Sequence, residues 1–443
     1  MIWILLLTVI FIVILTAVWK VHPLPVLLSA SMFFGVCTGV PVVKIMEQLS
    51  AGFGGTLSGI GLPVIAGCII GAFMERRGAL KVLADRILSL TGVRRAHLAM
   101  GLIGYIVSIC IFCDSAFVIL IGLWKKIGAA AKLPLAVGAT ALALGLFSSH
   151  CFVPPTPGPL AALSLLSADW GWTIIFGLIA SAAAAAAGMF YAVWGGRNEV
   201  LDSNDSRNND TEVKEVIFDR PWIVAVLPIA VPLILIALAS LVKVSGDIMP
   251  QWLNDFFIIS GTPLAALWIG VLLAVFGLGS WNVAELSSGG LIGSAVVDGA
   301  NILIVTCAGG AFGEVLKNAD FVSGLLSDFS GGGVFLVLIA ILFSAVLKTA
   351  QGSSTLAILT AAGMLVPIME GMEISAVQRS LLCCAVCCGG MMVSHTNDSY
   401  FWVVSRFSGM DIRQGLKLQT LGSLVSGLAA AVVIVFMAFW IMR

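Results

Sequence analysis

The stretch SSHCFVPPTPGPLAAL, Ser148–Leu163, follows directly on the apolar run LPLAVGATALALGLF. Prolines at 154, 155, 157 and 159, with Gly158 among them, stop a continuing helix, because proline lacks the N–H of the helical ladder and clashes with the turn before it. An apolar helix interrupted within its own run, with His150 at the interruption, reads as an unwound segment at membrane depth. Bare backbone survives there only against protein or a water-filled cavity. The expected fold is therefore all-α and polytopic, with broken or re-entrant helices beside the spans.

The composition agrees. The 443 residues are 60% hydrophobic and 10% charged, against roughly 45–50% apolar and about 25% charged in soluble domains; mean hydropathy is +1.09. Lys+Arg and Asp+Glu both number 23, so the net charge is zero and no basic surface points to nucleic acid. The opening segment IWILLLTVIFIVILTAVW has no basic lead and no small-residue cleavage site, so it is expected to be a first span rather than a signal. Most of the ten cysteines fall inside apolar runs. The cluster Cys383, Cys384, Cys387 and Cys388 cannot surround a tetrahedral ion from adjacent turns of one helix, and reads as small residues for close packing. No metal or cofactor is expected.

A span needs about 20 apolar residues. Twelve runs approach that: 2–19, 23–40, 59–75, 96–113, 133–150, 171–194, 222–242, 260–279, 296–313, 333–348, 377–394 and 416–441. Shorter pieces at 115–124, 160–167, 352–368 and 399–407 are candidate half-helices. The polar segment 195–221 reads as a solvated linker between halves 1–194 and 222–443. The halves carry ordered landmarks: CIIGAFME at Cys68 answers CAGGAFGE at Cys307, FCDSAFVILIGL answers KTAQGSSTLAILTAAG, and SSHCFVPP answers VSHTNDSYFW, at offsets of 239 to 245. Loop 75–95 holds Arg76, Arg77, Lys81, Arg86, Arg94 and Arg95, whereas the equivalent loop 314–332 holds only Lys317. Basic loops stay in the cytoplasm, so equivalent loops on opposite sides predict two inverted repeats, an ion-transporter-type fold.

Four breaks are expected to carry the chemistry: Phe112–Ser115, Ser148–Pro159, Thr349–Thr355 and Ser394–Ser399. Asp114, an acid at membrane depth, is a proton carrier, the partner of a buried cation, or the cap of the short helix 115–124 after it. His150 carries a proton, donates to an anion, or satisfies a neighbouring carbonyl as a neutral ring. A half-helix starting near Pro159–Leu160, with Ser149, Thr156 and Gly158 beside it, would offer backbone donors to a carboxylate. Gly352, Ser353, Ser354 and Thr355 read the same way, as ligand site or as plain cap. His395, Asn397 and Asp398 crowd the fourth break, and Asn301 could approach the same cavity.

With GGTLSGIG (Gly54–Gly61), HCFVPPTPGP, AGGAFGEVL, GSSTLAILTAAG and SHTNDSYFW in order, the chain resembles the gluconate permease (GntP) family of proton symporters over nearly its whole length. The resemblance implies proton-coupled uptake of sugar acids such as gluconate, or in some members other small hydroxylated carboxylates or D-serine, across a bacterial inner membrane. Partners would be that small anion, H+ and the bilayer, with homo-oligomerisation left open. The family usually has Glu at Asp114, His at Thr156 and Thr at Ser149, which puts gluconate itself in question. Asp114, His150, His395 and Asp398 are the proton-coupling candidates; Ser149, Thr156, Gly158, Asn301, Gly352, Ser353, Ser354, Thr355 and Asn397 are the substrate candidates. Ser, Thr and Asn with unwound carbonyls would also suit Na+. An intramembrane serine protease using GSS and a histidine is a remote rival, since the duplicated breaks do not build one nucleophile site.

Overall fold

Each apolar run folds as helix, the form in which a segment satisfies its own N–H and C=O groups without water. The computed structural model describes residues 2–92, 95–131, 133–201, 218, 220–245, 250–279, 282–317, 333–370 and 372–442, and among them there is no strand. In chain order the helices are α1 (Ile2–Val13), α2 (Pro23–Cys37), α3 (Val42–Arg76), α4 (Ala79–Thr91), α5 (Ala96–Val107), α6 (Cys113–Ala131), α7 (Leu135–Phe152), α8 (Pro157–Leu165), α9 (Trp170–Gly196) and α10 (Trp222–Ser245). They continue as α11 (Gln251–Ser260), α12 (Pro263–Gly277), α13 (Val283–Leu286), α14 (Leu291–Lys317), α15 (Gly333–Gln351), α16 (Ser354–Glu370), α17 (Ala376–Met391), α18 (Ser399–Ser408) and α19 (Ile412–Ile441). Arg94, Lys132, linker residues 202–217 and 219, and loop residues 318–332 lie outside the described residues.

Among the described residues, seven helices are long and apolar enough to cross a bilayer, or eight if α11 and α12, bent by 74°, count as one span. About twelve were expected. The runs at 2–19, 23–40, 96–113 and 377–394 are helical, but as apolar helices of 10–17 residues. A run of hydropathy does not reveal where its helix stops.

The centre of the fold follows from side-chain size. α3 and α14 run antiparallel in close contact: a Cβ on Gly52 would meet the Gly310 carbonyl, while Gly299 faces Ile65 and Cys68. Small residues let backbones approach, so packing replaces the hydrophobic drive that lipid cannot supply. α7 is buried along almost its whole length, which carries Ser148, Ser149 and His150 into the interior. The outer helices show the reverse pattern: Phe190 is 76% exposed, Trp3 73% and Val432 70%. Such a surface is stable against lipid chains and not against water. Cys383, Cys384 and Cys388 point thiols at the carbonyls of Pro159, Thr173 and Gly427. The CCAVCC cluster thus joins α17 to its neighbours, and among the described residues no group of side chains could hold a metal.

Candidate functional site

Each polar break is a gap between two helices: 108–112 between α5 and α6, 153–156 between α7 and α8, 352–353 between α15 and α16, and 392–398 between α17 and α18. The first gap lies a few residues before the expected Phe112–Ser115. Asp114 therefore stands in the first turn of α6, partly buried, rather than in the gap. His150 likewise belongs to the last turn of α7. α8 begins at Pro157, two residues earlier than expected, so Pro157 and Pro159 occupy its first turn, where a missing N–H breaks no bond.

The centre of the site is a residue the sequence reading passed over. Lys348, near the end of α15, is fully buried at 0% exposure. Its Nζ donates to Asp398 Oδ2 at 2.6 Å and to the Gly352 carbonyl at 2.6 Å, and the ammonium lies 5.6 Å from the Phe147 ring centroid. Asp398 also accepts from the Ser394 hydroxyl and, through Oδ1, from the Tyr400 N–H at 3.2 Å, so it caps α18 while holding the lysine. A buried ion pair is stable only with such extra hydrogen bonds, because desolvation otherwise exceeds the Coulomb gain. The available signal was a lysine inside FLVLIAILFSAVLKTA, where a charge needs a partner or a function.

The third and fourth gaps interlock around this pair. His395 Nε2 donates to the Thr349 carbonyl at 2.9 Å, and Asn397 Nδ2 donates to the same oxygen at 2.8 Å. Gly352 takes φ +80°, and a Cβ there would fall 2.3 Å from the Asn397 carbonyl oxygen. Ser353 Oγ accepts from the Leu356 N–H at 3.3 Å, the capping role foreseen for it, and remains exposed. Ser354 and Thr355, partly buried, open α16.

The second gap meets the third. Gly158 lies against Thr355 and Ile358, and the Ser354 hydroxyl lies against the Cys151 thiol. Thr156 Oγ1 donates to the Val153 carbonyl at 2.7 Å. Ser149 Oγ and His150 Nδ1 are buried without a partner, and the His150 ring stands edge-on to Phe112 at 6.1 Å. A small cleft of about 10 Å³, room for about one water, lies between the first two gaps and the α3–α14 pair, bounded by Phe112, Pro155, Thr156, Cys68 and Ile302. Asp114 lies within electrostatic reach of Asp398 and Lys348. Asn301, by contrast, is exposed on α14 and is not among the side chains that the gaps bring together.

Gln351 went unnoticed in the sequence. It is 6% exposed at the end of α15, next to Gly352, and neither its Oε1 nor its Nε2 has a partner among the described residues. Broken helices converging on a buried charge pair, inside a shell of lipid-facing helices, are the architecture of a membrane carrier.

The chain matches the description GntP family permease over residues 1–440. It belongs to that family, and is a multi-pass inner-membrane permease rather than an enzyme. It is 31% identical to the inner membrane permease YgbN of Escherichia coli over 424 residues, covering 92% of both chains. To a gluconate permease of Pseudomonas aeruginosa it is 29% identical over 430 residues, covering 94% of this chain and 92% of the other. In fold it is similar to Neisseria gonorrhoeae MtrF, described as one of a class of antimetabolite efflux pumps, with a TM-score of 0.65, 13% identity and 95% of each chain covered.

Proposed function

We propose that this permease is a secondary active transporter that takes up a gluconate-like sugar acid together with protons. The observation that carries the reading is a buried ammonium, Lys348, held at the amino end of α16 where four helix breaks meet. Helix amino ends and a lysine together favour a carboxylate, while Ser353, Ser354 and Thr355 offer hydroxyls to a polyol. The proton is assigned to the set Asp114, His150, His395 and Asp398, and the substrate also to Ser149, Thr156, Gly158 and Asn397. Similarity to a gluconate permease supports the substrate class.

The transport cycle rests on two inverted halves, 1–194 and 222–443, joined by the linker 195–221. Support comes from the order of elements: the pair α5–α6 and the pair α15–α16 are each broken once, as are α7–α8 and α17–α18. α3 and α14, which carry the CIIGAFME and CAGGAFGE motifs, pack antiparallel between them.

Uptake of labelled gluconate into vesicles with an imposed proton gradient tests the reading. Accumulation should require the gradient and collapse with an uncoupler. Accumulation that ignores the proton gradient but follows Na+ overturns the coupling. Competition by D-serine or a short hydroxy acid, with none by gluconate, overturns the substrate class.

A further inference from the structure

In the structure Lys348 and Asp398 neutralise each other in a site closed to solvent, at 0% and 5% side-chain exposure. A buried charge left without a counter-ion is strongly unfavourable, so the site tolerates only changes that keep its charge constant. Adding a substrate carboxylate alone changes the charge by −1. Adding a proton alone changes it by +1 and leaves the ammonium unpaired. Adding both changes it by zero.

We propose that Lys348 is a shared counter-ion, paired with Asp398 in the empty site and with the substrate carboxylate once Asp398 has taken a proton. The inference rests on the sugar-acid reading above and deepens it. No covalent bond changes: the proton adds to Asp398 Oδ2, and the ammonium exchanges one carboxylate partner for another.

The surroundings fit both states. Ser394 Oγ, which now donates to Asp398 Oδ2, can as a hydroxyl accept from the protonated acid instead. Lys348 keeps its bond to the Gly352 carbonyl, which holds the ammonium beside the first turn of α16. Gln351, buried with both amide atoms unpartnered at the adjacent position, supplies a donor and an acceptor for the arriving anion. Cys113 and Asp114 on α6, His150 and Cys151 on α7, and Tyr400 on α18 also face the pair. Their charges are common to both states and drop out of the difference. Compulsory one-to-one coupling follows, because neither the proton nor the anion alone reaches a neutral site.

The test uses the purified full-length protein in weakly buffered detergent, with gluconate as the probe and a pH indicator as the readout. Wild type should take up one proton per gluconate bound, with affinity falling by up to about tenfold per unit rise in pH. Asp398→Asn, a mimic of the protonated acid, should bind gluconate with no proton uptake and no pH dependence. Lys348→Gln should weaken binding by about 100-fold, with partial recovery in Lys348→Arg. The double variant Lys348→Gln/Asp398→Asn removes both charges together; it should remain folded and take up no proton. Gluconate binding to wild type without proton uptake, or proton uptake that persists in Asp398→Asn, overturns the inference and leaves the substrate reading standing. A wild type that binds no gluconate overturns the substrate reading itself.

Discussion

Two crossings of broken helices meet inside this protein, and their polar groups are answered differently. Where α15–α16 meets α17–α18, the groups that close the gaps bond to one another: Lys348 holds Asp398 and Gly352, His395 and Asn397 hold Thr349, and the Ser394 N–H donates to Ser423 Oγ at 2.9 Å, with the Gln351 amide left over. The backbone is forced to suit, with Val393 at φ +55° and Gly352 at φ +80°. Where α7–α8 approaches the start of α6, prolines shape the gap, and Ser149 Oγ and His150 Nδ1 are buried without partners. One crossing is tied together by a charge pair and the bonds around it, with the Gln351 amide free beside them, while the other has no such ties and leaves Ser149 and His150 free. A carrier needs both, since a ligand binds well only to groups that the protein has not already satisfied.

The largest effect should come from breaking the bonded crossing at its charge. Lys348→Met leaves Asp398 buried and unpaired, and thermal unfolding in detergent should register a loss of about 3–5 kcal/mol. Removing Asp398's charge as well should restore much of it. A loss below about 1 kcal/mol would show that water reaches the pair and that the two crossings do not differ in kind. Gly352→Ala comes next. The new Cβ would fall 2.3 Å from the Asn397 carbonyl, at a φ that alanine avoids. About 2 kcal/mol of stability should be lost, because a carbonyl cannot move aside as a flexible side chain can.

The contrast was half visible in the sequence. Prolines announce their own effect, so the gap after Phe152 was legible from Pro154 and Pro155 alone. Gly352 and the cluster from Ser394 to Asp398 marked the other crossing for the same reason: apolar helices rarely spend such residues without a break. Lys348 was not assigned, because its role depends on an acid 50 positions away that only the tertiary fold brings within 2.6 Å. Gln351 was missed for a related reason, since nothing local says that an amide at a helix end is shut away from water. Among the described residues seven or eight helices reach spanning length where about twelve runs were expected, because an apolar run does not fix the length of its helix.

An ion pair of the same chemistry in water sets the scale for the buried one. Lys417 Nζ donates to Glu199 Oε1 at 2.8 Å, with side-chain exposures of 45% and 21%. Hydrogen bonds from Lys417 and Gln414 hold the Glu199 carboxyl below its usual range. A depressed acid stabilises the fold above its ordinary range and loses that contribution as pH falls through the folded value. Glu199→Gln should therefore lower stability by less than about 1 kcal/mol at neutral pH and by nothing measurable in acid. A loss as large as that of Lys348→Met would remove burial as the cause of the difference.

Ser149→Ala should change stability least and transport more. Its hydroxyl is fully buried on α7 and makes no hydrogen bond among the described residues, so the folded protein already bears the desolvation of that group. Deleting it removes an unmet demand, and melting should be unchanged or raised within about 0.5 kcal/mol. If the free hydroxyl faces the substrate, the same change should weaken gluconate binding by about 5- to 10-fold, the worth of one neutral hydrogen bond, without altering the maximal rate. Ser394→Ala, from the bonded crossing, should behave in the opposite sense, losing stability because Asp398 loses a donor. Equal responses from the two serines would show that the buried Ser149 hydroxyl is met by water rather than kept for a ligand.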